Sequence, residues 1–224
     1  MRVVFAILCG MSSFFTCWGQ KWSVGLVGQP CLTYYSILGG GTTSNASDFK
    51  AADKPVLTYQ AGLLLSRKLS EKASFVTGIE YAQHGLQSQY STSNIYAFGF
   101  SPGYALKVVD RYVEIPLYAN VYLSKGRVST FFTVGLKPAF YLNSYSKAVG
   151  VNNQATTFHY GAHRKVNVFA VLGVGAEIKI TDKWRALAWP VLEYALMKEI
   201  FAQPLSIYPY TAGINLCLFY SLGN

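Results

Sequence analysis

The feature that most constrains this chain is a strict two-residue alternation of apolar and polar side chains. Val113, Ile115, Leu117, Ala119, Val121 and Leu123 interleave with Glu114, Pro116, Tyr118, Asn120, Tyr122 and Ser124. Successive side chains on a strand point to opposite faces, so this period predicts a strand with one apolar and one polar face. The pattern returns after residue 165, where Val168, Ala170, Leu172, Val174, Ala176 and Ile178 oppose Asn167, Phe169, Gly173, Gly175, Glu177 and Lys179. Both segments reach the ~9–11 residues that a tilted strand needs to cross a bilayer, against ~5–6 in soluble sheets.

Carried along the chain, the same reading predicts eight strands, at about 21–36, 57–69, 75–91, 111–124, 128–144, 165–180, 185–199 and 208–222. The connections alternate in length. Residues 70–74, 125–127 and 181–184 are short turns, whereas 37–56, 92–110 and 145–164 are long loops and 200–207 is intermediate. An even strand number with short turns on one rim and long loops on the other predicts an all-β, eight-stranded antiparallel up-and-down transmembrane β-barrel, with the short turns and both termini in the periplasm.

Composition agrees with this expectation. Only 13% of residues are charged while 51% are hydrophobic and 16% aromatic, which excludes a disordered tail or a coiled coil. The first residues carry Arg2, the apolar run Val3 to Leu8, and Phe14 to Trp18 before Gly19, the pattern of a secretory signal peptide. The expected organisation is therefore a signal peptide at 1–19 and an outer-membrane barrel domain at 20–224. Lipidation at Cys17 is the weaker reading of this segment, since Phe14, Phe15 and Thr16 depart from a lipidation signal. Past residue 19 no apolar run is long enough to cross a bilayer as a helix.

The charges within the predicted strands fall on the less apolar face. Glu80, Glu114, Lys137, Glu177, Lys179 and Glu193 are expected to form a structural ionic network inside the barrel, because unpaired charges there would cost several kcal/mol each. Tyr118, Tyr122, Tyr141 and Phe169 are expected to fill the rest of a lumen that at eight strands is just wide enough for side chains. On the opposite faces, Trp22, Leu26, Leu32 and Tyr34 on the first strand read as lipid-facing. So do Tyr210, Ile214, Leu216, Leu218, Tyr220 and Leu222 on the last, with tyrosines at both ends as in interfacial girdles.

Two motifs carry a family resemblance. The segment Asp110-Arg-Tyr-Val-Glu-Ile-Pro-Leu-Tyr118 resembles the "YLEIPL" strand of the small outer-membrane β-barrel proteins of Bacteroidetes, often called PorT-like. The stretch Gly173-Val-Gly-Ala-Glu177 resembles that family's glycine-rich sixth strand ending in an acidic residue. The last strand is similar to the insertion signal read by the barrel-assembly machinery, with Thr211 and Gly213 followed by Leu216 and Leu218, although the chain ends in Gly-Asn rather than on an aromatic residue. The resemblance implies a non-enzymatic outer-membrane protein, structural, adhesive or accessory to an export complex. Its expected partners are outer-membrane lipids, the assembly machinery during biogenesis and an envelope protein the sequence does not name.

Catalysis and metal binding are weighed on the histidines. His84, on the upper part of the third predicted strand, and Ser88 are the least implausible pair for a rim-sited enzyme acting on lipid or peptide, yet no spaced catalytic motif accompanies them. His159 and His163 lie four apart in a long loop and read as solvated. The expectation is no enzyme, no cofactor and no metal. Cys31 and Cys217 read as two buried thiols, with residue 212 opposite Cys31 in the simplest pairing of the first and last strands. A third function class, a secreted soluble barrel with an apolar ligand, would turn the clean apolar stripes inward.

The net charge of +9 does not mark a nucleic-acid binder, because it is not laid out as a basic stripe with stacking aromatics. Arg67, Lys68, Lys72, Lys125, Arg127, Lys183 and Arg185 crowd the short-turn rim, where they read as facing lipid headgroups, an acidic partner or water. In the loop 92–110, Tyr96, Phe98, Phe100 and Tyr104 form the candidate interaction surface.

Overall fold

The structure is a computed structural model, described here for residues 22–37, 53–88, 105–149, 155–158, 165–198 and 207–222. Every regular element in these residues is a strand: β1 (Trp22–Ile37), β2 (Asp53–Lys54), β3 (Val56–Lys68), β4 (Ala73–Ser88), β5 (Ala105–Glu114), β6 (Leu117–Tyr122), β7 (Val128–Val149), β8 (Ala155–Phe158), β9 (Val166–Lys179), β10 (Trp184–Ala195) and β11 (Ile207–Ser221). The predicted signal peptide and the aromatic loop cluster Tyr96, Phe98, Phe100 and Tyr104 lie outside the described residues, as do His159 and His163.

The sheet closes on itself. β1 pairs with β3 on one side and β11 on the other, and the antiparallel ladder continues through β10, β9, β7 and β5 back to β4. β5 and β6 are two halves of one wall strand, since both bridge β4 and β7. The break falls at Pro116, which has no N–H to give the ladder, but the wall holds there because Ile115 N–H donates to the Pro138 carbonyl at 2.9 Å. Eight walls thus form an antiparallel barrel, as the alternation predicted.

At the loop end the strands outrun the sequence reading. β5 begins at Ala105 and β7 runs to Val149, paired with each other; β4 accompanies β5 as far as Leu106, and β8 adds to the other edge of β7. Parts of the long connections expected at 92–110 and 145–164 are therefore strand. Turn composition alone places those boundaries in the sequence, and cross-strand pairing overrides it. One register shift lies in the β5–β7 pairing, between Arg111 and Tyr112 opposite Tyr141 and Asn143, the local signature of a bulge.

The apolar faces point outward. Leu26, Leu172, Leu192, Ile214 and Leu216 are each more than half exposed, while Glu114, Lys137, Asn167 and Thr133 on the opposite faces are wholly buried. This inside-out arrangement overturns the soluble-barrel alternative, which required the apolar stripes inside. On the β10, β11 and β1 walls the outer surface is bounded at both ends by aromatic rings. At the loop end Tyr34 stacks on Tyr210 with centroids 5.2 Å apart, Tyr210 is register-paired with Tyr194, and Tyr194 stacks on Tyr208. At the turn end Trp184 packs on Tyr220 at 5.0 Å and Arg67 sits over the Trp22 ring. The residue steps from Tyr210 to Tyr220, at ~3.4 Å each and a tilt of ~40°, put these rings ~26 Å apart, the height of an outer-membrane apolar band.

Candidate functional site

The chemistry-bearing residues collect inside the barrel in layers. Nearest the short turns, Glu177 accepts a hydrogen bond from the Tyr122 hydroxyl at 2.6 Å and an ion-paired N–H from Arg185 at 2.8 Å. Arg185 also donates to Ser66 and lies over the Phe219 ring. Above this comes an apolar layer in which Trp189, Phe131, Phe219, Leu64 and Val171 pack together. Glycines make room for its largest member. A Cβ at Gly175 would overlap the Trp189 Cβ, and one at Gly173 would stand 2.6 Å from the Trp189 ring. Gly173 thus leaves room for the indole, and Gly175 for the Cβ and backbone of the same residue.

The next layer is ionic and holds the one buried ammonium among the described residues. Lys137 Nζ lies 2.6 Å from Glu193, 2.9 Å from Glu80 and 3.3 Å from Glu114, and donates to the Gln60 side-chain oxygen at 2.7 Å. Glu193 accepts further amide hydrogen bonds from Gln60 at 2.8 Å and from Gln29 at 3.3 Å. Four walls supply these groups: β4 gives Glu80, β5 Glu114, β7 Lys137 and β10 Glu193. Buried carboxylates survive only where such donors replace water, which is why the cluster carries amides as well as the ammonium.

His84 caps the cluster on its loop side. Its Nε2–H donates to Glu114 Oε1 at 2.8 Å, its Nδ1 lies 3.2 Å from the Thr211 hydroxyl, and its ring stacks on Phe169 with centroids 4.6 Å apart. Tyr112 and Tyr141 close this aromatic layer. His84 is 1% exposed with both ring nitrogens engaged, so the structure removes it from the rim position that the enzyme reading required. The side chain of Ser88 lies outside the described residues.

Of the six residues expected in one lumenal network, the structure brings Glu80, Glu114, Lys137 and Glu193 together and sets Glu177 apart with Arg185. Lys179 joins neither. It is exposed at the last position of β9, beyond the closed part of the lumen. The alternation places it on the inner face, but at the rim that face opens to solvent. Sequence reasoning does not include Arg185, Gln29, Gln60 and His84 among the lumenal partners. Their inward parity in strands is the available signal, which weighing the charges alone, without the polar amides, leaves unread.

The remaining candidates have plain placements. Thr211 is buried beside Thr33 and His84, Gly213 faces Cys31, and Leu216 and Leu218 point outward. Cys31 and Cys217 are buried free thiols, with Cys31 opposite Gly213 and Cys217 opposite Val27, one residue from the simplest predicted pairing. Among the described residues no cluster of histidine, cysteine and acidic groups is arranged to hold a metal ion.

A family profile described as "Outer membrane protein beta-barrel domain" matches residues 32–194, well over half of the chain. The chain belongs to the outer membrane protein beta-barrel family. This barrel is also similar to solved structures of low sequence identity. A major outer membrane protein from Thermus thermophilus aligns at a TM-score of 0.50 and 11% identity over 91% of this chain and 100% of that one. Neisserial surface protein A aligns at 0.45 and 10% identity over 88% of this chain and 98% of that one. No curated protein matches the sequence. The β-barrel family and the apolar outer band together place the protein in the outer membrane.

Proposed function

We propose that this barrel is a non-enzymatic, PorT-like outer-membrane scaffold, preceded by a cleaved signal peptide, with short turns and termini in the periplasm. Its long loops are the interaction surface, in a structural or adhesive role or as an accessory to an export complex. The observation that carries the reading is the Lys137 layer. A lumen crossed by an ion-paired plug from four walls, with packed aromatic layers on both sides, leaves the barrel as a support and its loops as the part that meets other molecules.

The reading is tested by fractionating cells and comparing cold with boiled gel mobility of the detergent-extracted protein. A heat-modifiable outer-membrane band is expected, and a detergent-independent soluble protein would sink it. Orientation is read by placing single cysteines at Ser47 and Lys183 in a chain with Cys31 and Cys217 replaced by serine. Intact cells should label the first position with a membrane-impermeant maleimide and not the second. The loop role is read by replacing Tyr96, Phe98, Phe100 and Tyr104 with serine. Proteins crosslinked to the native barrel should be lost with the barrel still heat-modifiable, and an unchanged crosslinking pattern would remove this loop as the interaction surface.

A further inference from the structure

The short-turn mouth of the barrel carries a charge imbalance that the lumenal plug does not use. A basin of about 550 Å³ opens there, lined by Lys68, Arg127, Lys179, Lys183, Asp182 and Trp184, among others. A second hollow of about 310 Å³ adjoins it and shares Lys68 and Lys179. Two of the nearby acids are already committed, Glu177 to Arg185 and Tyr122 on the basin floor, and Glu71 to Lys125. That leaves Lys68, Arg127, Lys179 and Lys183 facing the single carboxylate of Asp182. These four cations are exposed and have no ion pair among the described residues.

The cations come from separate parts of the chain and are held in place by backbone. Lys179 N–H donates to the Arg127 carbonyl at 2.9 Å, which sets those two residues side by side. Ser221 N–H donates to the Lys183 carbonyl at 2.8 Å, and Thr181 Oγ1 accepts from the N–H groups of Lys183 and Trp184. Gly126, at φ +139°, turns the chain so that Arg127 reaches the basin. Trp184 fixes the depth. It lines the basin and belongs to the turn-end aromatic ring, and such rings lie at headgroup level. The four cations are therefore at the height where lipid phosphates lie.

We infer that this basin binds the phosphate of an anionic phospholipid headgroup in the leaflet that meets the short turns. Lys68, Arg127, Lys179 and Lys183 supply the charge, and their attraction adds up near a surface of anionic lipid. The inference rests on the membrane reading above but not on which leaflet the turns face.

The test is native mass spectrometry of the full chain released from detergent with phosphatidylglycerol or phosphatidylcholine. The native protein is expected to retain the anionic lipid about tenfold or more over the zwitterionic one, and less so as salt rises. The combined variant Lys68→Gln, Arg127→Gln, Lys179→Gln, Lys183→Gln should fall to near parity. A control at the other rim, Lys107→Gln with Lys147→Gln, should keep the preference. Equal retention of the two lipids by the native protein, or an unchanged preference in the fourfold variant, overturns the inference. Millimolar inorganic phosphate that abolishes the preference assigns the basin to a soluble anion and overturns the lipid source. A cold-versus-boiled gel on each sample separates the two levels: loss of heat modifiability in the native protein sinks the membrane reading, whereas a heat-modifiable barrel without the preference sinks only the lipid site.

Discussion

Glu80 and Glu114 sit directly opposite each other across the β4–β5 ladder, and both carboxylates meet the ammonium of Lys137. Like charges at such a position repel, so the pair depends on the cation from β7. Lys137→Met is expected to destabilise the barrel by ~3–5 kcal/mol, because it strands buried carboxylates without compensating charge. Urea unfolding of the barrel in lipid vesicles reads this as a lowered midpoint. Adding Glu80→Gln and Glu193→Gln to Lys137→Met should recover part of the loss. An unshifted midpoint in the single variant would show that the cluster is not held by its lysine.

The outer band makes an opposite demand. Leu172 and Leu216 are about half exposed and lie between the two aromatic rings. Leu216→Arg should cost ~2–4 kcal/mol, whereas Leu222→Arg beyond the turn-end ring should cost ~0–1 kcal/mol. The comparison is made on the yield of heat-modifiable barrel assembled into the membrane. Equal tolerance of both substitutions would mean that the band does not face lipid.

These two faces were legible for a physical reason. A strand interchanges its faces at every residue, so wherever lipid lies on one side and a polar plug on the other the alternation is forced into the sequence, as at Val113 to Tyr122. What was not legible depends on closure. Glu177 and Lys137 both have lumenal parity, yet the apolar layer around Trp189 separates them, and no one-strand pattern records depth along the barrel axis. The same holds for His84, whose partners Glu114 and Thr211 come from other walls. The long-loop boundaries failed differently, because β5 and β7 stabilise each other's extensions above the band.

Trp189 supplies a packing prediction. Its indole occupies the space that a side chain at Gly173 would fill, whereas Gly175 faces the Trp189 Cβ and the backbone of β10. Gly173→Ala is expected to lower stability by ~1–3 kcal/mol through overpacking. Trp189→Ala in the same chain should remove the contact with the indole ring, leaving the one with the Pro190 carbonyl, so the double variant is more stable than the sum of the two single effects allows. Strict additivity in the urea midpoints would separate the two sites.

The buried thiols give a topological check. Cys31 and Cys217 lie on neighbouring walls, but the register puts Cys31 opposite Gly213 and Cys217 opposite Val27. In the folded barrel both should resist a bulky maleimide and react once the protein is boiled in denaturant. Mild oxidation should leave non-reducing gel mobility unchanged, and a faster-migrating crosslinked band would require the β1–β11 register to slide.

Outside the membrane the clearest titration signal is at the short-turn rim. The Lys125 ammonium hydrogen-bonded to Glu71 holds that carboxyl below its ordinary value of 4.5. A carboxyl depressed on folding contributes stability that is present above its unfolded value and is lost as pH falls through the folded one. The contribution is therefore expected at neutral pH and lost below about pH 4.5. Both side chains are more than half exposed, so solvent screens the pair and its effect on neutral-pH stability is small. Glu71→Gln should accordingly leave the urea midpoint nearly unchanged at pH 7 and make its decline in acid slightly shallower. A steeper acid decline in the variant would reverse the sign of the coupling and remove Glu71 as the partner that satisfies Lys125.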